Sequence, residues 1–199
     1  MRFVVFGSGG MAKEVIGYIE TSGHVVDYVV STELFNNPAF DYDVREDYVG
    51  GKSVLAVADP VLKRKIVADH PDADWTTYVH STAFRSPHAS IGRGCVFAPH
   101  SIVAGDPVIG DFCFFNTNAT IGHDSRLGAY STLFPNTEVC GDCDIGEGVI
   151  MGIGAYVIPG ITLPDGSKVS AGAVVRESVY QPSTIYGDLR GAFKVRAHN

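Results

Sequence analysis

At 199 residues and 21.2 kDa the chain has room for one ordinary domain and a smaller companion. With 45% hydrophobic and 19% charged residues it is no disordered polymer, and a net charge of -7 argues against a general nucleic-acid binder, which must neutralise phosphates. No apolar run approaches the roughly 20 residues of a membrane span. Four cysteines are too few for a secreted disulfide scaffold, so a cytoplasmic protein without a signal peptide is expected.

The chain opens with a predicted strand, Phe3–Phe6, that runs into Gly7-Ser8-Gly9-Gly10 and a helix-compatible stretch from Met11 to Glu20. Apolar runs at Val25 to Val30 and Ser53 to Ala58 read as further strands. Asp59-Pro60 then has the form of a helix N-cap with proline at the first helical position, and Lys63, Arg64 and Lys65 lie on the helix that follows. Strands alternating with helices predict a small parallel α/β unit over residues 1–75. Its glycine turn, with Gly7, Gly9 and Gly10, could hold a phosphate by backbone N–H groups at a helix N-terminus. Glycines also tighten such turns for packing alone.

Residues 76–199 follow a different rule. From Ile91 to Val175 every sixth residue is apolar for fifteen consecutive positions. Chance would give such a run only about once in a hundred thousand tries for a given register. The residue four places on is mostly small, as at Cys95, Ser101, Cys113 and Ala119, and glycine often follows the apolar residue directly, as at Gly92, Gly110, Gly122 and Gly128. A period of six is neither helical nor a simple alternation. It fits a short strand with one large inward side chain and then a corner, which is the signature of a parallel β-helix. If three hexads close one turn, residues 18 apart stack at the inter-strand spacing of about 4.8 Å, and the run supplies about five coils. Cys95 and Cys113 should then stack, and with Cys143 they are expected in the core; the spacing Cys140-x-x-Cys143 is only half a metal knuckle.

That period also isolates one histidine. With Ile121 inward, His123 falls on a corner and points outward. The equivalent positions one turn earlier and later are Gly105 and Gly141, so an open slot is expected beside its ring. Asp124 follows at once and can fix the imidazole and raise its basicity. Gly141 would offer a bare N–H as an oxyanion donor. The competing reading is an exposed histidine on an ordinary surface. The other histidines (24, 70, 80, 88, 100 and 198) make no close partner for His123, so no metal is expected.

With hexads, glycine turn and His123 taken together, the chain resembles the NeuD/PglD-type sugar O- and N-acyltransferases of the hexapeptide-repeat superfamily. The most specific match is Asn116-Thr117-Asn118-Ala119-Thr120-Ile121-Gly122-His123-Asp124, similar to the family segment N-T-x-x-x-(I/V)-x-H-(D/E). The resemblance implies an α/β N-terminal Rossmann-like domain followed by an all-β left-handed parallel β-helix, assembled as a homotrimer. It implies His123 as general base, Asp124 as its support and Gly141 at the thioester carbonyl of acetyl-CoA, the co-substrate. Ile153 and Ala171 match positions that hold the pantetheine arm, and Thr132 stands where some members have a CoA-contacting histidine. Gly7, Gly9, Gly10 and Met11 match the turn that receives the nucleotide of a nucleotide-linked sugar, although Met11 replaces a common histidine. Val30-Ser31, Ala58-Asp59 and the C-terminal Gly187-Asp188-Leu189-Arg190 also differ from pairs and endings found in the family. The implied activity is N-acetylation of a nucleotide-linked deoxy-amino sugar. Sugar O-acetylation, of sialic acid for example, is the nearest alternative, and a non-catalytic β-solenoid scaffold is the alternative of a different class.

Overall fold

The computed structural model describes residues 1–31, 42–187 and 193–198, so Asp188, Leu189 and Arg190 lie outside the described residues. The N-terminal part is a small sheet-and-helix unit. Its strands β1 (Arg2–Phe6), β2 (Val25–Val30), β3 (Val44–Arg45), β4 (Lys52–Leu55) and β5 (Asp74–Trp75) are all parallel, in the order β3-β2-β1-β4-β5. Helix α1 (Gly10–Thr21) joins β1 to β2 and buries Ala12, Val15, Ile16 and Ile19, one stripe at helical spacing. Helix α2 (Pro60–Asp69) joins β4 to β5 and starts as its sequence predicts: Asp59 accepts the Leu62 N–H at 2.9 Å and Pro60 occupies the first turn. The two-residue strands β3 and β5 are too short to leave a periodic signal.

From Tyr78 onward the chain winds into a left-handed parallel β-solenoid with three faces. Face one includes Val96–Phe97, Phe114–Phe115 and Thr132–Leu133; face two includes Ile102–Val103, Thr120–Ile121 and Glu138–Val139; face three includes Val108–Ile109, Arg126–Leu127 and Asp144–Ile145. Stacked partners are 18 residues apart, as in Ile121 over Val103 and under Val139. The hexad residues form one continuous core, with Phe97 and Phe115 stacked at 4.9 Å between centroids. Glycine after the hexad residue has a steric cause. A Cβ on Gly128 would lie 2.4 Å from the Glu147 amide nitrogen of the next corner, and one on Gly122 would lie 2.8 Å from the Gly141 nitrogen. Cys95, Cys113 and Cys143 are buried, and each thiol also donates to a carbonyl 15 residues on, at 3.2 to 3.3 Å.

The solenoid begins earlier than the unbroken run at Ile91 suggests. Its first turn includes Phe84–Arg85, where Arg85 stands at the inward register position and is exposed at the open end. At the other end Ser183–Gly187 pairs with Lys168–Val169, buries Ile185 and turns back antiparallel with Phe193–Ala197.

Face one is covered. Its outward residues Tyr78, Val96 and Phe114 are buried with Val15, Ile16 and Ile19 of α1 in a single apolar cluster. Beside them Trp75 meets Phe112 edge-on at 5.6 Å, and Phe112 stacks on Tyr130 at 5.3 Å. The N-terminal unit therefore sits on one face of the prism.

Candidate active site

His123 and Asp124 form the corner between faces two and three. That corner is the vertex opposite face one, and hence opposite the N-terminal unit. Asp124 adopts a left-handed conformation at φ 56°, one that Asp tolerates better than most residues. Its Oδ2 lies 2.7 Å from Nδ1 of His123. The pair places the ring proton on Nδ1 and leaves the Nε2 lone pair facing outward.

The slot beside the ring is present. A Cβ on Gly141 would fall 2.6 Å from both Cε1 and Nε2 of His123, so the imidazole lies directly over that glycine. A Cβ on Gly105 would fall 2.6 Å from the His123 Cβ, and its φ of +77° independently requires glycine. Among the described residues the Gly141 N–H has no hydrogen-bond acceptor.

Sequence reading missed two neighbours, although the 18-residue spacing that identifies the glycines also marks them. Asp106 and Asp142 stand one turn to either side of Asp124. The hydrogen bond that Nδ1 donates to Asp124 raises the His123 pKa above its ordinary value; slight desolvation opposes this, and the charges of Asp124, Asp142 and Asp106 add to it. Donor atoms of His123, Asp124 and Asp142 lie within 4.8 Å of one another, a spacing compatible with a cation. All three are exposed, and Nδ1 is already engaged by Asp124. The arrangement is a histidine held by one carboxylate and flanked by two more.

Thr132 requires a correction. Its side chain is fully buried, donating to Ala58 O at 2.8 Å and accepting from Lys63 Nζ at 2.7 Å, so it meets no surface that CoA could touch. Lys63 also donates to the carbonyls of Phe112 and Ser131 at 3.1 Å and of Tyr130 at 3.3 Å. Burial pushes its pKa down to about 8. The two residues clasp α2 to the solenoid. Nothing in the local sequence distinguishes Lys63 from its exposed neighbours Arg64 and Lys65.

Ile153 and Ala171 are exposed first residues of the corners between faces one and two, whereas Gly141 borders the other edge of face two. One chain does not bring them together. Gly7, Gly9, Gly10 and Met11 do converge. They line a cavity of about 580 Å³ between β1, β4, α1 and α2, with Lys65, Asp69 and His70 at its α2 side. Val30-Ser31 and Ala58-Asp59 line the same cavity. Gly7 has φ +119°, and a Cβ there would lie 2.8 Å from Ala56 O.

This architecture recurs in solved structures. PerB from Caulobacter crescentus, determined in complex with CoA and GDP-perosamine, superposes with a TM-score of 0.87 at 27% identity, over 99% of this chain and 98% of that one. In fold and in its six-residue repeat the chain is similar to the hexapeptide-repeat acyltransferases. WeeI from Acinetobacter baumannii AYE shares the fold at a TM-score of 0.86 and 20% identity, over 98% of this chain and all of that one. The acetyltransferase domain of PglB from Neisseria gonorrhoeae FA1090 shares it at 0.83 and 24%, over 92% of this chain and 95% of that one. Among curated proteins, the bifunctional protein GlmU of Heliobacterium modesticaldum is 30% identical over 131 residues, 66% of this chain and 28% of that protein. GlmU of Geobacillus sp. is 23% identical over 167 residues, 84% of this chain and 34% of that protein. The chain thus spans about a third of the length of these curated relatives. No family model matches. Among the described residues no helix is long and apolar enough to cross a membrane.

Proposed function

We propose that the chain is an acetyl-CoA-dependent N-acetyltransferase acting on the amino group of a nucleotide-linked deoxy-amino sugar. The observation that carries this reading is the His123–Asp124 pair at 2.7 Å with Nε2 lying over the bare backbone of Gly141. The sugar amine attacks the thioester carbonyl and its proton passes to Nε2 of His123. Asp124 stabilises the imidazolium that forms. The Gly141 N–H donates to the oxyanion of the tetrahedral intermediate. Collapse breaks the C–S bond, and the departing sulfur takes the proton from His123. Nucleophile and thioester react directly, with no acyl-enzyme.

The division of labour follows the two units. Residues 1–75 serve as a Rossmann-like nucleotide-sugar domain, with the phosphates against Gly9, Gly10 and the α1 N-terminus. Residues 76–199 serve as the acetyltransferase domain. Because the cavity and His123 lie on opposite sides of one prism, a homotrimer joins the cavity of one copy to the base of another. It also sets the Gly141 edge of one copy against the Ile153 and Ala171 edge of the next, which gives the pantetheine arm two walls. That PerB, 27% identical over almost the whole chain, was solved with CoA and GDP-perosamine supports this reading, and a cytoplasmic setting suits such substrates.

The test is CoA release from acetyl-CoA against a panel of GDP-, UDP- and dTDP-linked amino sugars, with CMP-sialic acid and free sialic acid included. Release with one nucleotide amino sugar is the expected result. Release only with a sialic acid would reassign the chain to O-acetylation. No acetyl-CoA binding at all would leave a scaffold.

A further inference from the structure

Most corners of the solenoid follow a backbone rule. The second residue of a corner donates its amide to the carbonyl of the first corner residue one turn earlier. Examples are Tyr130 to Asp111 at 2.8 Å, Asn136 to Thr117 at 3.0 Å, Asp142 to His123 at 3.0 Å and Gly148 to Ala129 at 2.8 Å. By this rule Asp124 should bond the carbonyl of Gly105. Its amide goes instead to Oδ1 of the Asp106 side chain, at 3.1 Å. At another vertex His100 likewise bonds a side chain, Thr82 Oγ1 at 3.1 Å; directly beneath His123 the corner is inverted. In the other corners just named the positive φ falls on the second residue, whereas here it falls on the first, Gly105, at +77°.

We propose that Asp106 is a positioning residue for the base: its carboxylate replaces the absent backbone rung and holds Asp124 in the conformation that turns the Asp124 carboxylate onto Nδ1 of His123. The inference rests on His123 being the base, and Asp106 acts only through Asp124. The charged groups facing the imidazole are Asp106, Asp124 and Asp142. Inverting the corner gives up a backbone hydrogen bond that neighbouring corners keep. The side-chain acceptor restores it from a residue that is itself exposed.

Two conservative variants separate geometry from charge. Asp106→Asn keeps an acceptor oxygen in place and removes the charge. Asp106→Glu keeps the charge and displaces the acceptor by one methylene. Position 106 is an exposed corner, so both should fold, and a melting curve on each checks this. If Asp106 positions the pair, the asparagine variant retains kcat within about threefold, while the glutamate variant loses roughly tenfold or more, as misplacing a catalytic group does. The KM for acetyl-CoA stays put in both. The second readout is the His123 titration followed by NMR in the free full-length chain: its pKa should fall further in the glutamate variant than in the asparagine one. The reverse ranking, or parental behaviour in both variants, overturns the proposal. Because the titration needs neither substrate, an absence of acetyl transfer by the parent would sink the proposed function and still leave this ranking decisive for Asp106.

Discussion

The imidazole of His123 draws its basicity from the carboxylate at Nδ1, and the direction of that effect fixes the pH behaviour. If His123 is the base, the neutral ring is the working form, and its pKa is raised above the ordinary value by the hydrogen bond to Asp124 first and by the charges of the surrounding carboxylates after it. Activity in kcat/KM should therefore rise with pH through an inflection above 6.5. In Asp124→Asn that inflection should move down, because the raising partner is gone; an unmoved inflection would remove Asp124 from the mechanism. His123→Ala should cost about 10²- to 10⁴-fold in rate, the usual worth of a general base. Gly141→Ala probes the slot alone. Its new methyl would lie 2.6 Å from Nε2, so turnover should fall by on the order of a hundredfold while the melting temperature changes little. A variant that kept parental turnover would mean that the acceptor does not approach over Gly141.

At the scale of elements, the decisive contact is between α2 and the solenoid. Lys63 gives its ammonium to three solenoid carbonyls and to Thr132, well away from water. Its folded pKa of about 8 lies below the ordinary lysine value of 10.5. Between those two values the unfolded chain binds the extra proton, so this group makes stability rise with pH across that window and contributes no slope below it. Urea unfolding at several pH values from 7 to 10 should show that rise in the parent and its loss in Lys63→Met. Equal slopes would mean that the ammonium is solvated, and the buried clasp would be wrong. The core hexads behave more simply. Ile121→Ala should cost about 2–5 kcal/mol, since the strand that carries His123 cannot close over a missing inward side chain.

At the scale of the molecule, the cavity belongs to the N-terminal unit on face one, and the His123 corner is the opposite vertex of the solenoid. On the proposed reading, a single copy does not bring a cavity-bound sugar to its own base. If the proposed homotrimer forms, two inactive variants, His123→Ala and Gly10→Asp, should complement when co-expressed, because a mixed assembly contains a neighbour pair with one intact cavity and one intact base. The aspartate at position 10 would meet open space and repel phosphate without steric damage. Failure of the mixture to regain activity would show that cavity and base work within one copy, or that the cavity holds no substrate.

The period of six carried the solenoid, its three faces, the inward residues and the slot at His123, because each depends only on spacing along a regular coil. The same spacing marks Asp106 and Asp142 as neighbours of Asp124, although it says nothing of the inverted corner that gives Asp106 its hydrogen bond. The helix starts at Asp59 and Pro60 were equally legible, since capping is local. Three things were settled only by tertiary structure: that Lys63 is buried while Arg64 and Lys65 are exposed, that Thr132 is closed off from the surface, and that face one carries the N-terminal unit. Each concerns the outward side of a short strand or one side of a short helix. There the residues follow no period, and only the arrival of another element decides whether a side chain meets water or protein.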